Sequence, residues 1–248
     1  MTGPASGRQF PIGGRRVVAE AIRSGRARRA LVSRDARHTE GLRAVLDAAR
    51  RAGLPLSSVP PKDLDAHGAD HQGVVAFVAA PEELDERALL GLADDANGLV
   101  VVLDGITDPQ NLGAAARSSE AAGVTAMVTR TRRAAPLSAA AIRASGGALL
   151  HLPLARVPNL TRTLERLKDL RYTVVGLDHT SVRTIHDEPA PERPLALVLG
   201  AEDTGLSRLV RETCDVVVSI PMAGRTASLN ASAALAVALF GYATRPLP

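Results

Sequence analysis

The sequence predicts an α/β protein of two unequal domains, and three observations carry that prediction. From residue 98 onward, short apolar runs such as Leu99–Leu103 (LVVVL) and Leu195–Leu199 (LALVL) alternate with stretches of helical periodicity. Runs of this kind mark strands buried on both faces, and their alternation with helices argues for a mainly parallel sheet covered on both sides. Residues 12–80 alternate in the same way on a smaller scale, as a compact α/β module. Between them, residues 81–97 hold six acids and one arginine, a composition shift that marks a boundary.

In the front module, Arg16 to Ser24 is helix-like and Ala30 to Ser33 reads as a short strand. Leu42, Val45, Leu46 and Ala49 recur at helical spacing from Thr39 to Ala52, with Gly53 placed to end that helix. Leu54–Val59 reads as strand, Pro60-Pro61 as a break, and Gly73–Ala79 as a continuous β run. Residues 1–11 are expected to be a flexible N-terminus and 81–97 an acidic linker with a short helix. In the second domain, 98–248, strands are expected at 99–103, 124–129, 173–178, 195–199 and 216–220. Helices are expected at about 111–122, 138–145, 160–170, 205–212 and 228–242.

Composition narrows the function classes. The chain has 248 residues, 46% of them apolar, enough for packed cores. No apolar run approaches the roughly 20 residues of a membrane span, and the first residues lack a secretory signal pattern, so a cytoplasmic protein is expected. A single cysteine, Cys214, forms no internal disulfide and is expected to be buried and inert. The six histidines lack metal-ligand spacing, and no metal is expected. Net charge is only +4, yet residues 8–51 carry twelve arginines against four acids. Such clustering points to a polyanion, because neutralising phosphates releases condensed counterions. The excess of arginine over lysine, 28 to 2, is equally the mark of a GC-rich genome. With only 2% aromatics, recognition by stacking successive bases on aromatic platforms is not expected.

Three glycine-punctuated blocks carry the chemistry: Leu103-DGITDPQNLGAAARSSEAAGV-Thr125, Leu197-VLGAEDTGL-Ser207 and Ser219-IPMAGRTASLNASAALA-Val237. Each runs from an apolar strand into a tight loop, which brings polar side chains from several strand ends to one region. In the first block, Asp108 or Asn111 can cap the following helix. Arg117, six residues beyond Asn111, stands about 120° away around a helix, so the two converge only if Asn111 lies in the preceding turn. Taken singly, Asn111 is explained by capping and Arg117 by a surface ion pair with Glu120. The second block has the glycine spacing of a phosphate loop, but Leu206 stands where lysine is required, which disfavours a nucleoside-triphosphate site. Glu202 and Asp203 fit a solvated turn. In the third block, Ser228 is placed as an N-cap before an apolar helix.

In order, the strings DPQNLGAAARSSEAAGV, LVLGAEDTGLS and SIPMAGRTASLNASAALA resemble the three signature motifs of the SpoU (TrmH-type) branch of the SPOUT RNA methyltransferases. The match is nearest to the bacterial enzymes that methylate a guanosine ribose in 23S rRNA. More weakly, Gly14-RRVVAEAI-Arg23 and His71-Gln72-Gly73 resemble that family's substrate-binding domain. The resemblance implies methyl transfer from S-adenosylmethionine to an RNA ribose 2′-hydroxyl by a homodimer, with a deep trefoil knot in the C-terminal domain. It implies a cofactor cradle at Gly200, Ile220 and Leu229, with Leu199 and Met222 beside them. It makes Arg117, Asn111, Glu202, Ser228 and Asn230 the catalytic candidates, and Arg15, Arg16, Arg26, Arg28, Arg29 and Arg225 the RNA contacts. Arg225 is a departure, since relatives commonly carry small uncharged residues there. The rival readings are a tRNA-directed or antibiotic-resistance methyltransferase of the same family and, from another class, an RNA-binding or assembly protein without catalysis.

Overall fold

In the computed structural model, residues 9–68, 70–96, 98–187, 194–226 and 228–243 are described. They form two compact units: residues up to Glu82 together with Leu137–His151, and Glu83–Pro136 together with Leu152 onward. The first begins with β1 (Gln9–Gly13), α1 (Arg15–Arg23), β2 (Ala27–Ser33), α2 (Glu40–Ala52), β3 (Leu56–Val59), α3 (Pro61–Asp65) and β4 (Val74–Ala79). Its sheet has the order β1-β4-β2-β3, antiparallel except for the β2–β3 pair. Gly53 closes α2, as the sequence predicts, and Thr39 caps its start by accepting from the Leu42 N–H.

Residues 9–11, expected to be flexible, instead belong to β1, where Phe10 and Ile12 are buried; residues 1–8 lie outside the described residues. Pro11 obscures this strand in the sequence, but β1 is an edge, and an edge strand accommodates a residue with no N–H to donate.

The second unit contains α4 (Glu86–Ala96), β5 (Leu99–Asp104), α5 (Pro109–Ala121) and β6 (Ala126–Arg130). After α6 (Ala139–Ala144) come β7 (Leu154–Val157), α7 (Leu160–Asp169), β8 (Thr173–Leu177), β9 (Leu195–Gly200), α8 (Arg208–Thr213), β10 (Val216–Val218) and α9 (Ala231–Ala238). Helix α6 itself clusters with the first unit, where His151 Nε2 lies 2.7 Å from Glu20 Oε1. All strand pairs of the second sheet are parallel, in the order β10-β8-β9-β5-β6-β7. Leu99, Val100, Val101, Val102 and Leu103 are buried on both faces.

The acidic segment 81–97, expected to hold a short helix and a linker, is largely that helix, α4, and α4 is part of this core. Leu89 and Ala93 pack with Val100, Val128 and Leu164. The Tyr172 hydroxyl donates to the Ala93 carbonyl at 2.9 Å and accepts from the Gly98 N–H at 3.4 Å, which fastens the end of the helix. Charges on its solvent side mask an apolar face; burying one leucine fully contributes about 1.5–3 kcal/mol. Cys214 is partly buried with its thiol directed at the Val210 carbonyl, and burial pushes its pKa up to about 12, so it is not a reactive thiolate.

Two buried carboxylates shape the loop leaving β9. Asp104, at the end of β5, accepts from Arg130 at 2.7 Å and from the Ser207 N–H at 2.7 Å. Asp178, directly after β8, accepts from the Leu206 N–H at 3.4 Å and pairs with Arg211 at 2.5 Å. Burial alone would raise the Asp178 pKa, but hydrogen bonds from the Thr180 N–H and hydroxyl and the Arg211 charge outweigh it and hold the carboxyl below its ordinary value. Between these anchors Ala201 and Gly205 bond each other's backbone in both directions. Gly200 is required there, because a Cβ would stand 2.3 Å from the Gly205 carbonyl carbon. Gly205 is required for its φ of +64°.

Two outcomes follow for stability. Asp104→Ala should cost about 2–4 kcal/mol in urea unfolding, since it leaves a partly buried guanidinium and a backbone N–H without their acceptor. The depressed Asp178 pKa stabilises the fold fully above the unfolded value of about 3.8, and that contribution is lost as pH falls through the folded value. Unfolding midpoints measured at pH 5 and pH 3 should therefore fall less in Asp178→Asn than in the wild type.

Candidate active site

Parallel strands deliver their carboxyl ends to one edge of the sheet, and ligands bind in the crevice outside that edge. Here the crevice is a cleft with about 620 Å³ of open space, including its mouth. Leu177 and Asp178 of β8 and its exit, Leu199 to Glu202 and Gly205 of the anchored loop, and Val218 at the end of β10 line it. Ile220, Met222, Ser228, Leu229, Ala231 and Ala234 complete it. All five cofactor candidates, Leu199, Gly200, Ile220, Met222 and Leu229, thus line one cavity. Its size and its apolar walls with a few polar groups suit a small organic ligand.

At the cleft the three sequence blocks meet through Asn230. Its Nδ2 donates to Asn111 Oδ1 at 2.9 Å and to Glu202 Oε2 at 3.2 Å, while its Oδ1 accepts from the Ser232 N–H at 3.0 Å and the Ser232 hydroxyl at 2.6 Å. A carboxylate only accepts and an amide N–H only donates, so these partners fix the orientation of the Asn230 amide. Both its hydrogens and both its lone pairs are used. Asn230 is therefore a hub that holds other groups, and it also caps α9, the role the sequence reading gave to Ser228. Ser228 lines the cleft instead.

The remaining candidates fall elsewhere. Asp108 caps α5 by accepting from the Gln110 N–H at 3.0 Å, which places Asn111 inside the helix as its third residue. The condition for Asn111 and Arg117 to converge is thus not met within one chain: both are helical and stand about 120° apart. Arg117 is exposed, and among the described residues it forms no ion pair, with Glu120 or any other acid. Arg225 is exposed on the loop before α9. In the first unit, Arg15 is committed internally: its Nε donates to the Gln72 carbonyl at 2.9 Å and its guanidinium also reaches Thr39. Arg16, Arg28 and Arg29 are exposed and Arg26 is half-buried. The sequence reading missed Asp178 and His179 as lining residues; the signal was a pair of polar residues directly after an apolar strand.

Comparison with known proteins agrees with this architecture. Residues 98–240 match the model of the SpoU rRNA Methylase family, and residues 11–84 match that of the RNA 2'-O ribose methyltransferase substrate binding domain. The 23S rRNA (guanosine-2'-O-)-methyltransferase RlmB of Vibrio vulnificus is 41% identical over 82% of this chain and 83% of its own. An uncharacterized tRNA/rRNA methyltransferase of Mycobacterium ulcerans is 43% identical over 91% of this chain and 74% of its own. Among solved structures, the SpoU methyltransferase AviRb from Streptomyces viridochromogenes, crystallised with AdoMet, superposes with a TM-score of 0.74 at 29% identity, covering 94% of this chain and 88% of that one. With the family model spanning more than half of it, the chain belongs to the SpoU rRNA methylase family.

Proposed function

We propose that this protein methylates the ribose 2′-hydroxyl of a guanosine in 23S rRNA, using S-adenosylmethionine, as a homodimer whose C-terminal domain is knotted. The observation that carries the reading is the Asn111–Asn230–Glu202 cluster beside an apolar cleft at the carboxyl ends of parallel strands. The sequence match to the 23S rRNA enzyme of Vibrio vulnificus supports the guanosine target.

The cleft fits the cofactor on its own chemistry. Leu177, Leu199, Val218, Ile220 and Leu229 offer apolar walls to a heterocycle, and Glu202 offers a carboxylate to a cation. When bound, S-adenosylmethionine supplies a methyl group on a positively charged sulfur.

The chain's own residues supply positioning and charge. A guanidinium has only donors and no site to accept a proton, so Arg117 acts as a planar cation that stabilises negative charge on the ribose oxygen and grips the adjacent phosphate. Asn111 orients the ribose through its Nδ2, which has no hydrogen-bond partner among the described residues. Asn230 holds Asn111 and Glu202 at fixed separation, and Ser228 supports the motif loop. Positioning of this kind suffices for much of the acceleration of an in-line transfer.

The homodimer reading rests on two features. Val237 and Phe240 are 40% and 54% exposed on α9 and its continuation, which packs beside α5. The separation of Arg117 from Asn111 around α5 is met when a second copy completes the site. The knot reading rests on membership of the SpoU rRNA methylase family.

Two measurements test this. Calorimetry of the metal-free protein should give a one-to-one heat of binding with S-adenosylmethionine, weakened about tenfold or more in Gly200→Ala by the backbone collision at Gly205. Absence of heat, with folded protein and added rRNA, would favour the non-enzymatic reading. In methyl-transfer assays on rRNA, Arg117→Ala should lose about a hundredfold or more in rate while keeping cofactor affinity. Arg117→Lys should be nearly as impaired, because lysine keeps the charge and loses the fork. Near-normal turnover in Arg117→Ala would remove this residue from the reaction.

A further inference from the structure

The first unit's sheet carries a built feature that its general basic character does not explain. On β4, Ala76 and Val78 are buried on the face that α1 covers, where they pair with Ala30 and Ala27 of β2. Two residues of the same parity on β4 thus face two residues three apart on β2. That is possible only because the register shifts between Ala27 and Arg29, a bulge that sets Arg28 and Arg29 together opposite Phe77. Both arginines are exposed, between the buried Ala27 and Ala30. The bulge therefore delivers two adjacent cations to the opposite face of the sheet.

That face is only partly covered. Leu64 of α3 packs over Leu31 and Val75, with Val59 and Phe77 at the margin. At this margin the Arg29 guanidinium lies over the Phe77 ring, 3.7 Å from its centroid. His67, in the turn after α3, meets the same ring edge-on at 5.1 Å and 85°. Phe77 thereby holds the guanidinium flat at low entropic cost. Ion pairs in the surrounding segment join Arg23 to Glu20 and Arg50 to Asp47, whereas Arg28 and Arg29 pair with no acid among the described residues.

We infer that this stack is a docking platform for an unpaired RNA base. The base stacks on the outer plane of the Arg29 guanidinium, whose inner plane rests on Phe77, and Arg28 meets a neighbouring phosphate. Guanidinium planes serve as stacking surfaces for splayed-out bases, so one well-placed phenylalanine is enough where aromatic residues are scarce. The platform gives the basic module a means of distinguishing loop from duplex, which charge alone does not provide. The inference rests on the reading of the protein as an RNA methyltransferase and adds to it the unpaired character of the nucleotide held by the first unit.

The test uses the full chain and two fluorescein-labelled RNA hairpins, one with a purine loop and one with the same loop made abasic. The wild type should bind the purine loop about tenfold more tightly, the size expected for one stacked base. Arg29→Lys and Phe77→Leu should erase that preference without changing the salt dependence of either hairpin, and Arg28→Lys should keep it. Far-UV circular dichroism verifies that the variants are folded. If Arg29→Lys retains the preference, or if the wild type binds both hairpins equally and in a salt-sensitive way, the stack is overturned while RNA binding by the module stands. If the wild type binds neither hairpin but binds an acidic polyglutamate peptide, both the stack and the RNA reading fall.

Discussion

The site depends on a grip applied from both sides of one strand. In the second sheet β9 lies between β8 and β5, and a buried carboxylate stands at the exit of each neighbour, Asp178 directly after β8 and Asp104 at the end of β5. Those carboxylates take the successive backbone N–H groups of Leu206 and Ser207, the point where the loop from β9 returns. A buried carboxylate is costly unless its oxygens are satisfied, and here each also meets an arginine, Arg211 or Arg130. The loop is therefore closed at its base, and Glu202 on its far side is held where Asn230 reaches it. Without the grip, Glu202 would sit on a loop with no fixed separation from Asn111 in α5 and Asn230 at the start of α9.

The two units solve different problems with different chemistry. In the second, the polar groups that anchor the β9 loop and the Asn230 cluster are satisfied internally, carboxylate to arginine and amide to carboxylate. In the first, arginines accumulate on the surface and few meet acids, so much of their charge is left for a polyanion. The β2 bulge is the exception within that unit, because it spends backbone regularity to place two cations and an aromatic ring together. Bulges recur where a side chain must be re-aimed, and this one re-aims two.

Much of this architecture was legible in the sequence because it is written locally. Strands β5 and β9 announce themselves as unbroken apolar runs, and Thr39 and Gly53 mark both ends of α2. The three loop blocks also pointed to one region, and Asn111, Glu202 and Asn230, one from each block, do meet. What was not legible is non-local. Asp104 reads as the first residue of a loop after a strand, and its partners lie 26 and 103 residues away. Composition misled at α4, where acids on the solvent side hid Leu89 and Ala93, and at β1, where Pro11 disguised an edge strand. The helix cap at Asn230 was assigned to Ser228 because both belong to the same run of small polar residues and only the hydrogen bonds to Ser232 separate them.

The contrast between Asn230 and Arg117 bears on how the site is completed. Asn230 has spent every donor and acceptor on its own chain, so mutating it should act through Asn111 and Glu202 rather than through a lost ligand contact. Arg117 has spent none among the described residues. An exposed guanidinium on a helix whose other face is packed gains nothing for the fold; its side-chain entropy is conserved until a ligand or a second protein surface claims it. Because α5 fixes Asn111 and Arg117 on different faces, one bound ribose cannot meet both by adjusting a loop. The rigidity of the helix thus turns a question about two side chains into one about assembly: either the two residues serve different groups of the same RNA, or a second copy brings its own Arg117 to this Asn111.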